Sequence, residues 1–254
     1  MPGVYLCEIT ENKSIADQTF MITVMCEEIA SDARAGQFIN INCGEGLLLR
    51  RPVSICGTNG KTFRFAVEIK GEGTRRLAEY MPGAKLDIVG PLGNGFLIPA
   101  GSVLVVSGGI GAPPLLFAAE TAKGTVTAIL GFRDSSRIIM KSEFEAACDK
   151  VCITTDDGSY GVAGQVTVPL ETFLESGVYD AVLACGPRAM LRNVSGLCKQ
   201  HGVPCQVSME QRMGCGVGAC LVCACETAGN NTTRMSRVCK DGPVFDADTV
   251  VWEQ

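Results

Sequence analysis

The sequence predicts an α+β multidomain chain: an N-terminal antiparallel β-barrel, then a parallel-sheet α/β domain, then a small cysteine-rich C-terminal domain. Three observations predict it. Short apolar-alternating runs separated by turn signals fill residues 1–99. Strand-like and helical runs alternate over 100–206. Glycine and cysteine dominate 207–254, where no long periodic segment survives. At 254 residues there is room for roughly two domains of about 100–200 residues each. A content of 46% hydrophobic and 19% charged residues excludes intrinsic disorder. The net charge of −5 gives no whole-chain attraction to nucleic acid or anionic lipid.

In the first segment the alternation predicts strands over 19–25, 37–42, 51–56, 62–69 and 84–90. One of them carries Arg51-Pro52-Val53-Ser54, and a glycine turn, Gly71-Glu72-Gly73-Thr74, follows. An arginine with a Gly-Thr turn offers a guanidinium and backbone donors to a diphosphate. A strand with an ordinary salt bridge and a turn would read the same way.

In the second segment strands are expected over 103–107, 126–131, 151–155 and 181–184, with helices over 114–121, 141–148 and 189–201. Residues 94–119 contain no charge, but repeated glycines and prolines interrupt them. A strand, a glycine turn and a helix starting near Pro113 fit better than a membrane span. Such a helix start has free N–H groups for an anionic phosphate. The dinucleotide fingerprint is only partly met: Gly109-x-Gly111 is present and Pro114 takes the third glycine position, so a plain structural turn stays open. Cys185-Gly186-Pro187 ends another strand, and two glycine turns at strand carboxyl ends define a ligand crevice. Asp156-Asp157-Gly158-Ser159 borders that crevice or is an ordinary turn. Arg133 and Arg137 are candidates for a 2′-phosphate or for a solvated face.

Fourteen cysteines stand beside a single histidine, His201. One histidine excludes His-rich metal sites and makes a Ser-His-Asp hydrolase a poor fit. The N-terminus has no basic segment followed by an apolar one, so a cytoplasmic protein with reduced thiols is expected. Cys7, Cys26, Cys43, Cys148, Cys152, Cys198 and Cys205 read as small buried hydrophobes. The others include Cys215-x4-Cys220-x2-Cys223 with a remote Cys239, the spacing of a plant-type [2Fe–2S] site. Gly214, Gly216 and Gly218 suit a loop that wraps iron closely and offers N–H groups to sulfur. A four-thiolate zinc is the competing reading, although zinc ribbons usually pair two close knuckles. Cys225 is the spare.

The order R-P-V-S, G-E-G-T, G-G-I-G-A-P-P and C-G-P resembles the ferredoxin-reductase family. The terminal E-Q-R-M-G-C-G-V-G-A-C-L-V-C and R-V-C-K-D-G-P-V-F are similar to the electron transfer subunits of class B, NAD-dependent dihydroorotate dehydrogenase, and the resemblance covers nearly the whole chain. It implies FAD in the barrel, NAD(H) at the α/β domain and a [2Fe–2S] cluster in the tail. It further implies a partner subunit that holds FMN and oxidises dihydroorotate, in a heterotetramer of two plus two. Carried over by position, Arg51, Pro52, Val53 and Ser54 would contact FAD, and Gly73 and Thr74 would hold its diphosphate. Val67 and Glu68 would add a further flavin-contacting strand. Gly109, Gly111, Cys185, Gly186 and Pro187 would flank the nicotinamide path. Cys215, Cys220, Cys223 and Cys239 would ligate the cluster. Many reductases have an aromatic residue where Val53 stands. The resemblance requires no acid–base residue for dihydroorotate chemistry in this chain. A reductase subunit serving another NAD(P)H complex, and a zinc-stabilised nucleotide-binding module, are the alternative readings.

Overall fold

The computed structural model describes residues 2–229 and 232–252. Its first unit is a closed six-stranded antiparallel barrel, ordered β1-β2-β5-β4-β3-β6. The strands are β1 (Gly3–Ala16), β2 (Thr19–Met25), β3 (Phe38–Ile41), β4 (Arg51–Thr58), β5 (Thr62–Glu68) and β6 (Lys85–Leu92). Inward alternation fills the barrel with Ile9, Ile22, Ile39, Ile41, Ile55, Phe63, Phe65 and Ile88, all buried. β1 is absent from the sequence reading, because Val4 and Leu6 point outward beside Glu8 and Thr10 and only Cys7 and Ile9 are fully buried, so apolar and polar residues do not alternate along it. It closes the barrel by pairing with both β2 and β6. Helix α1 (Glu27–Asp32) buries Ile29 and Ala30.

Gly71-Glu72-Gly73-Thr74 is more than a turn: it opens helix α2 (Glu72–Glu79). The Thr74 hydroxyl accepts from the Lys70 N–H at 2.9 Å and the Gly71 N–H at 3.3 Å, and donates to the Gly71 carbonyl at 3.1 Å. A side chain three residues into the helix thus satisfies the free backbone groups of its start.

The second unit is a seven-stranded sheet, ordered β10-β9-β8-β7-β11-β12-β15. Its strands are β7 (Val103–Gly108), β8 (Val126–Phe132), β9 (Lys150–Thr155), β10 (Val162–Ala163), β11 (Ala181–Cys185), β12 (Cys205–Ser208) and β15 (Val244–Asp246). All pairings are parallel except that of β15 with β12. Helices α3 (Ala112–Thr121), α4 (Lys141–Ala147) and α6 (Arg188–Gln200) fall where alternation placed them, while α5 (Thr167–Ser176) and β12 went unread. From β7 the chain builds outward through β8 and β9, then returns to place β11 on the other side of β7. That reversal of strand order is a topological switch point.

Helix α3 is apolar on every side, and Ala112 through Ala119 are all buried. Such a helix must be covered all round. It packs on β7 and β11 of the sheet and on β4 and β5 of the barrel, making the barrel interior and one sheet face a single core. The other sheet face shares a second core with Cys223, Cys225 and Cys239. In the tail, β13 (Ala224–Gly229) and β14 (Thr232–Arg237) form an antiparallel pair, after which β15 rejoins the main sheet. No helix among the described residues is long and apolar enough to cross a membrane. All fourteen cysteines are unpaired; Cys148 and Cys152, read from sequence as core, are only half-buried near the sheet edge.

Candidate functional site

A cavity of about 850 Å3 lies between barrel and sheet, and residues from all three compositional segments line it. The barrel contributes Pro52, Val53, Ser54, Val67, Glu68 and Thr74. The sheet contributes Gly109, Gly111, Cys185, Gly186 and Pro187. Arg51 and Gly73 flank the cavity without lining it. A Cβ on Gly73 would lie 2.7 Å from the Arg51 Nε, so the absence of a side chain there lets the guanidinium reach the start of α2. The same guanidinium donates to the Leu49 carbonyl.

The two glycine turns meet at the switch point. Gly109–Gly111 forms one 3-10 turn leading directly into α3, and proline is tolerated at the first positions of that helix because the N–H groups there lack intrahelical partners. Gly108 and Gly186 leave space for Met190, whose Sδ would be 2.7 Å from a Cβ on Gly108. Ser107 and Thr154, at the carboxyl ends of β7 and β9, have buried hydroxyls without partners. These unsatisfied groups lie at the strand ends, where such sheets receive nucleotides. The volume falls in the range of about 300–1,000 Å3 typical of ligand pockets, at the end that suits a large cofactor.

Arg133, Arg137 and Asp156 also line the cavity. Arg137 faces barrel carboxylates, 3.9 Å from Asp17 and 3.9 Å from Glu68. Sequence reasoning missed Phe38, Met190, Asn193 and the stretch 208–211 with Met213. Phe38, Met190 and Asn193 lie on elements that the sequence reading placed, but no motif marks them as facing a site, and Met213 brings the cavity wall within two residues of Cys215.

The cysteine loop has the N–H-to-sulfur pattern that its glycines suggest. Cys215 Sγ accepts from the N–H groups of Ala219 at 3.3 Å and of Val217 and Cys220 at 3.4 Å. The Cys215 N–H reaches Cys220 Sγ at 3.4 Å, and the Cys239 N–H reaches Cys223 Sγ at 3.4 Å. Gly216 and Gly218 have φ of +73° and +86°, the left-handed region where glycine is favoured. Gly214 serves differently: a Cβ there would lie 3.1 Å from Cys220 Sγ.

Burial raises the Cys215 thiol, but the N–H groups of Val217 and Cys220, the Cys220 thiol and the Ala219 N–H outweigh it and bring it down to about 6. Cys239 is pushed up to about 12, by burial first and then by Cys223. The thiols thus group as Cys215 with Cys220 and Cys223 with Cys239. Among the described residues no three Cys, His, Asp or Glu side chains converge as a single-ion site requires. Four thiols with backbone N–H groups directed at three of the sulfurs suit a [2Fe–2S] cluster. Cys225 lies on β13 opposite Ser236 and is buried in the second core.

Residues 210–251 match the family described as the iron–sulfur cluster binding domain of dihydroorotate dehydrogenase B. The chain is 39% identical over 255 residues to the dihydroorotate dehydrogenase B (NAD(+)) electron transfer subunit of Geobacillus thermodenitrificans, covering 96% of each chain. It is 36% identical to the protein of that name from Desulforamulus reducens, covering the full length of both. Among solved structures, the NADH-dependent reduced ferredoxin-NADP oxidoreductase, studied for flavin-based electron bifurcation, superposes with a TM-score of 0.88 at 32% identity. That alignment covers 100% of this chain and 92% of the other. With matches of this identity over nearly its whole length, the chain belongs to the family of dihydroorotate dehydrogenase B (NAD(+)) electron transfer subunits.

Proposed function

We propose that this chain carries electrons between NAD(H) and a partner subunit that oxidises dihydroorotate, using FAD in the cavity and a [2Fe–2S] cluster at Cys215, Cys220, Cys223 and Cys239. The observation that carries the proposal is the continuity of the cavity: one wall is the Pro52–Ser54 strand, another the paired glycine turns, and a third runs through Met213 toward the cysteine loop. A flavin exchanges electrons singly or in pairs and a two-iron cluster singly, so together they join hydride chemistry to one-electron transfer.

The protein's own task is binding and orientation. Pro52, Val53 and Ser54 would present the flavin ring along β4, with Val67 and Glu68 of β5 beside it. Thr74 and the α2 N-terminus, backed by Arg51 against Gly73, would hold the diphosphate. Pro113 and Pro114 have no N–H and the Ala112 N–H is bonded to the Gly109 carbonyl, so the backbone of the Gly109–Gly111 turn would take the nicotinamide nucleotide's phosphates, leaving its ring near Cys185–Pro187. Cys215 supplies thiolate character near neutral pH, and the burial of Cys223 and Cys239 keeps water from the inner pair.

Around exposed Cys220 stand exposed Val217, Leu221 and Val222. An apolar rim at the site where electrons must leave suits docking of the catalytic subunit, which holds FMN in our reading and pairs with this chain as a cytoplasmic heterotetramer of two plus two. The test is reconstitution. Anaerobically purified chain should contain flavin, iron and acid-labile sulfide, and should confer NAD+-linked dihydroorotate oxidation on a flavin-dependent dihydroorotate oxidase. Zinc in place of iron and sulfide would overturn it. The likeness to the ferredoxin-NADP oxidoreductase supports a second reading, a reductase subunit of a bifurcating complex. Exchange of electrons with ferredoxin and NADP(H) instead of dihydroorotate would select it.

A further inference from the structure

Strand β3 separates the flavin-motif strand β4 from the cysteine loop. Cross-strand pairing sets Phe38 opposite Ser54 and Asn40 opposite Pro52. Side chains of paired residues share a sheet face, so Phe38 and Asn40 stand on the outward face of the barrel, two residues apart. Phe38 lines the cavity and packs in the same core as Cys223 and Cys239. Asn40 is fully buried, and its Nδ2 donates to the Cys215 carbonyl at 3.4 Å.

The approach is tight from both sides. A Cβ on Gly216 would stand 2.5 Å from Asn40 Nδ2, and Gly216 has a φ of +73°. On the barrel side, Arg50 donates to the Asn40 carbonyl at 3.4 Å and to the Asp87 carbonyl at 2.9 Å, pinning the strand beneath. The Asn40 Oδ1 is buried without a hydrogen-bond partner. A buried amide with one acceptor unsatisfied costs stability that a leucine of similar size would not. Filling space therefore does not account for an amide here; directing a hydrogen bond at the loop does.

We propose that Asn40 is a positioning residue: it fixes the loop bearing Cys215 and Cys220 against the barrel wall that carries the flavin motif, and so sets the spacing across which electrons pass. The proposal rests on the cofactor assignment above, but its first test does not need the cofactors. Amide hydrogen exchange of residues 214–220 is measured on the metal-free full chain, wild type against Asn40→Leu and Asn40→Asp. Loss of the hydrogen bond should cut protection about tenfold in that loop while the barrel and sheet stay unchanged.

In the reconstituted chain, reduction of the flavin by NADH should remain within about twofold of wild type. Appearance of the reduced-cluster EPR signal should slow about tenfold or more, as expected for misplacement on the ångström scale. If Asn40→Leu fails to fold, Gly216→Ala presses on the same contact from the loop side and should give the same confined loss of protection. Unchanged exchange in 214–220, or unchanged cluster reduction with intact loading, overturns the proposal. Wild-type chain that binds neither flavin nor iron defeats the cofactor assignment instead, and the exchange experiment still decides the role of Asn40 in holding the loop.

Discussion

Gly111 and Cys185 meet backbone to backbone: a Cβ on Gly111 would stand 2.2 Å from the Cys185 carbonyl oxygen and 3.0 Å from the Gly186 nitrogen. The φ of Gly111 is −75°, open to any residue, so glycine is needed here for space and not for conformation. The contact locks the turn after β7 to the turn after β11 and shapes the switch-point crevice. Gly111→Ala must push the two turns apart. The expected result is flavin content near wild type with NADH-dependent flavin reduction down about a hundredfold, read by stopped-flow absorbance. Gly109 is the opposite case, with a φ of +53° and open space around its Cα. Gly109→Asn keeps that conformation but puts a side chain into the cavity Gly109 lines, so NADH-dependent flavin reduction should fall while the fold and flavin content stay near wild type.

Cysteine replacements should divide by position. Cys220→Ser and Cys223→Ser each remove one sulfur from a different pair, and both should lower iron and acid-labile sulfide per chain several-fold, about as expected for losing one ligand in four. Cys225→Ser changes a buried side chain on β13, outside both pairs, and should leave the iron content near wild type. Iron and sulfide assays with the visible spectrum check all three variants. Iron lost only from Cys225→Ser would reassign the ligand set.

The start of α2 offers a stability test tied to cofactor retention. Thr74→Val removes a hydroxyl that serves the Lys70 and Gly71 N–H groups and the Gly71 carbonyl. Loss of such a cap costs about 1 kcal/mol, while Thr74→Ser should cost only a fraction of that. Because Thr74 also lines the cavity, Thr74→Val should release flavin more readily on dilution. Denaturant midpoints and flavin fluorescence measure the two effects separately.

Where period and punctuation are strong, the fold could be read directly. Thr19–Met25 was legible to the residue, since its apolar alternation ends at recognisable turns. α3 was legible because its prolines sit at a start that proline favours. β1 was not, because exposed Val4 and Leu6 break its alternation and it closes the barrel by pairing with β6, distant in sequence. β15 has only three residues and gains its strand character from β12 alone. At the site, glycine and cysteine spacing marked the turns and the loop. Phe38, Asn40 and Met213 went unmarked, because their importance comes from which strand they face after folding.

The ion pair under β3 gives a pH-dependent prediction. Arg50 Nη2 lies 2.7 Å from Asp87 Oδ2, and the Arg50 hydrogen bond holds the Asp87 carboxyl below the usual carboxylate range, against burial and with help from Asn42. A folded-state pKa below the unfolded value of about 4 means that the stabilisation is present above that pH and is lost as pH falls through the depressed folded value. Both side chains are partly exposed, 26% and 37%, so solvent screening limits the effect. Arg50→Ala should therefore cost no more than about 1 kcal/mol at pH 7. Its deficit against wild type should shrink as pH falls below about 4, where the unfolded carboxyl takes up a proton, and vanish once pH passes the depressed folded value. Asp87→Asn separates charge from hydrogen bonding: it keeps an acceptor for Arg50 but does not titrate, so its stability should fall less steeply than wild type below that pH. Urea midpoints of the three proteins between neutral and acid pH provide the measurement. Wild-type and Arg50→Ala curves that stay parallel throughout would show that the ion pair adds nothing pH-dependent to holding β3, and the Arg50 hydrogen bonds to the Asn40 and Asp87 carbonyls would then be its whole contribution there.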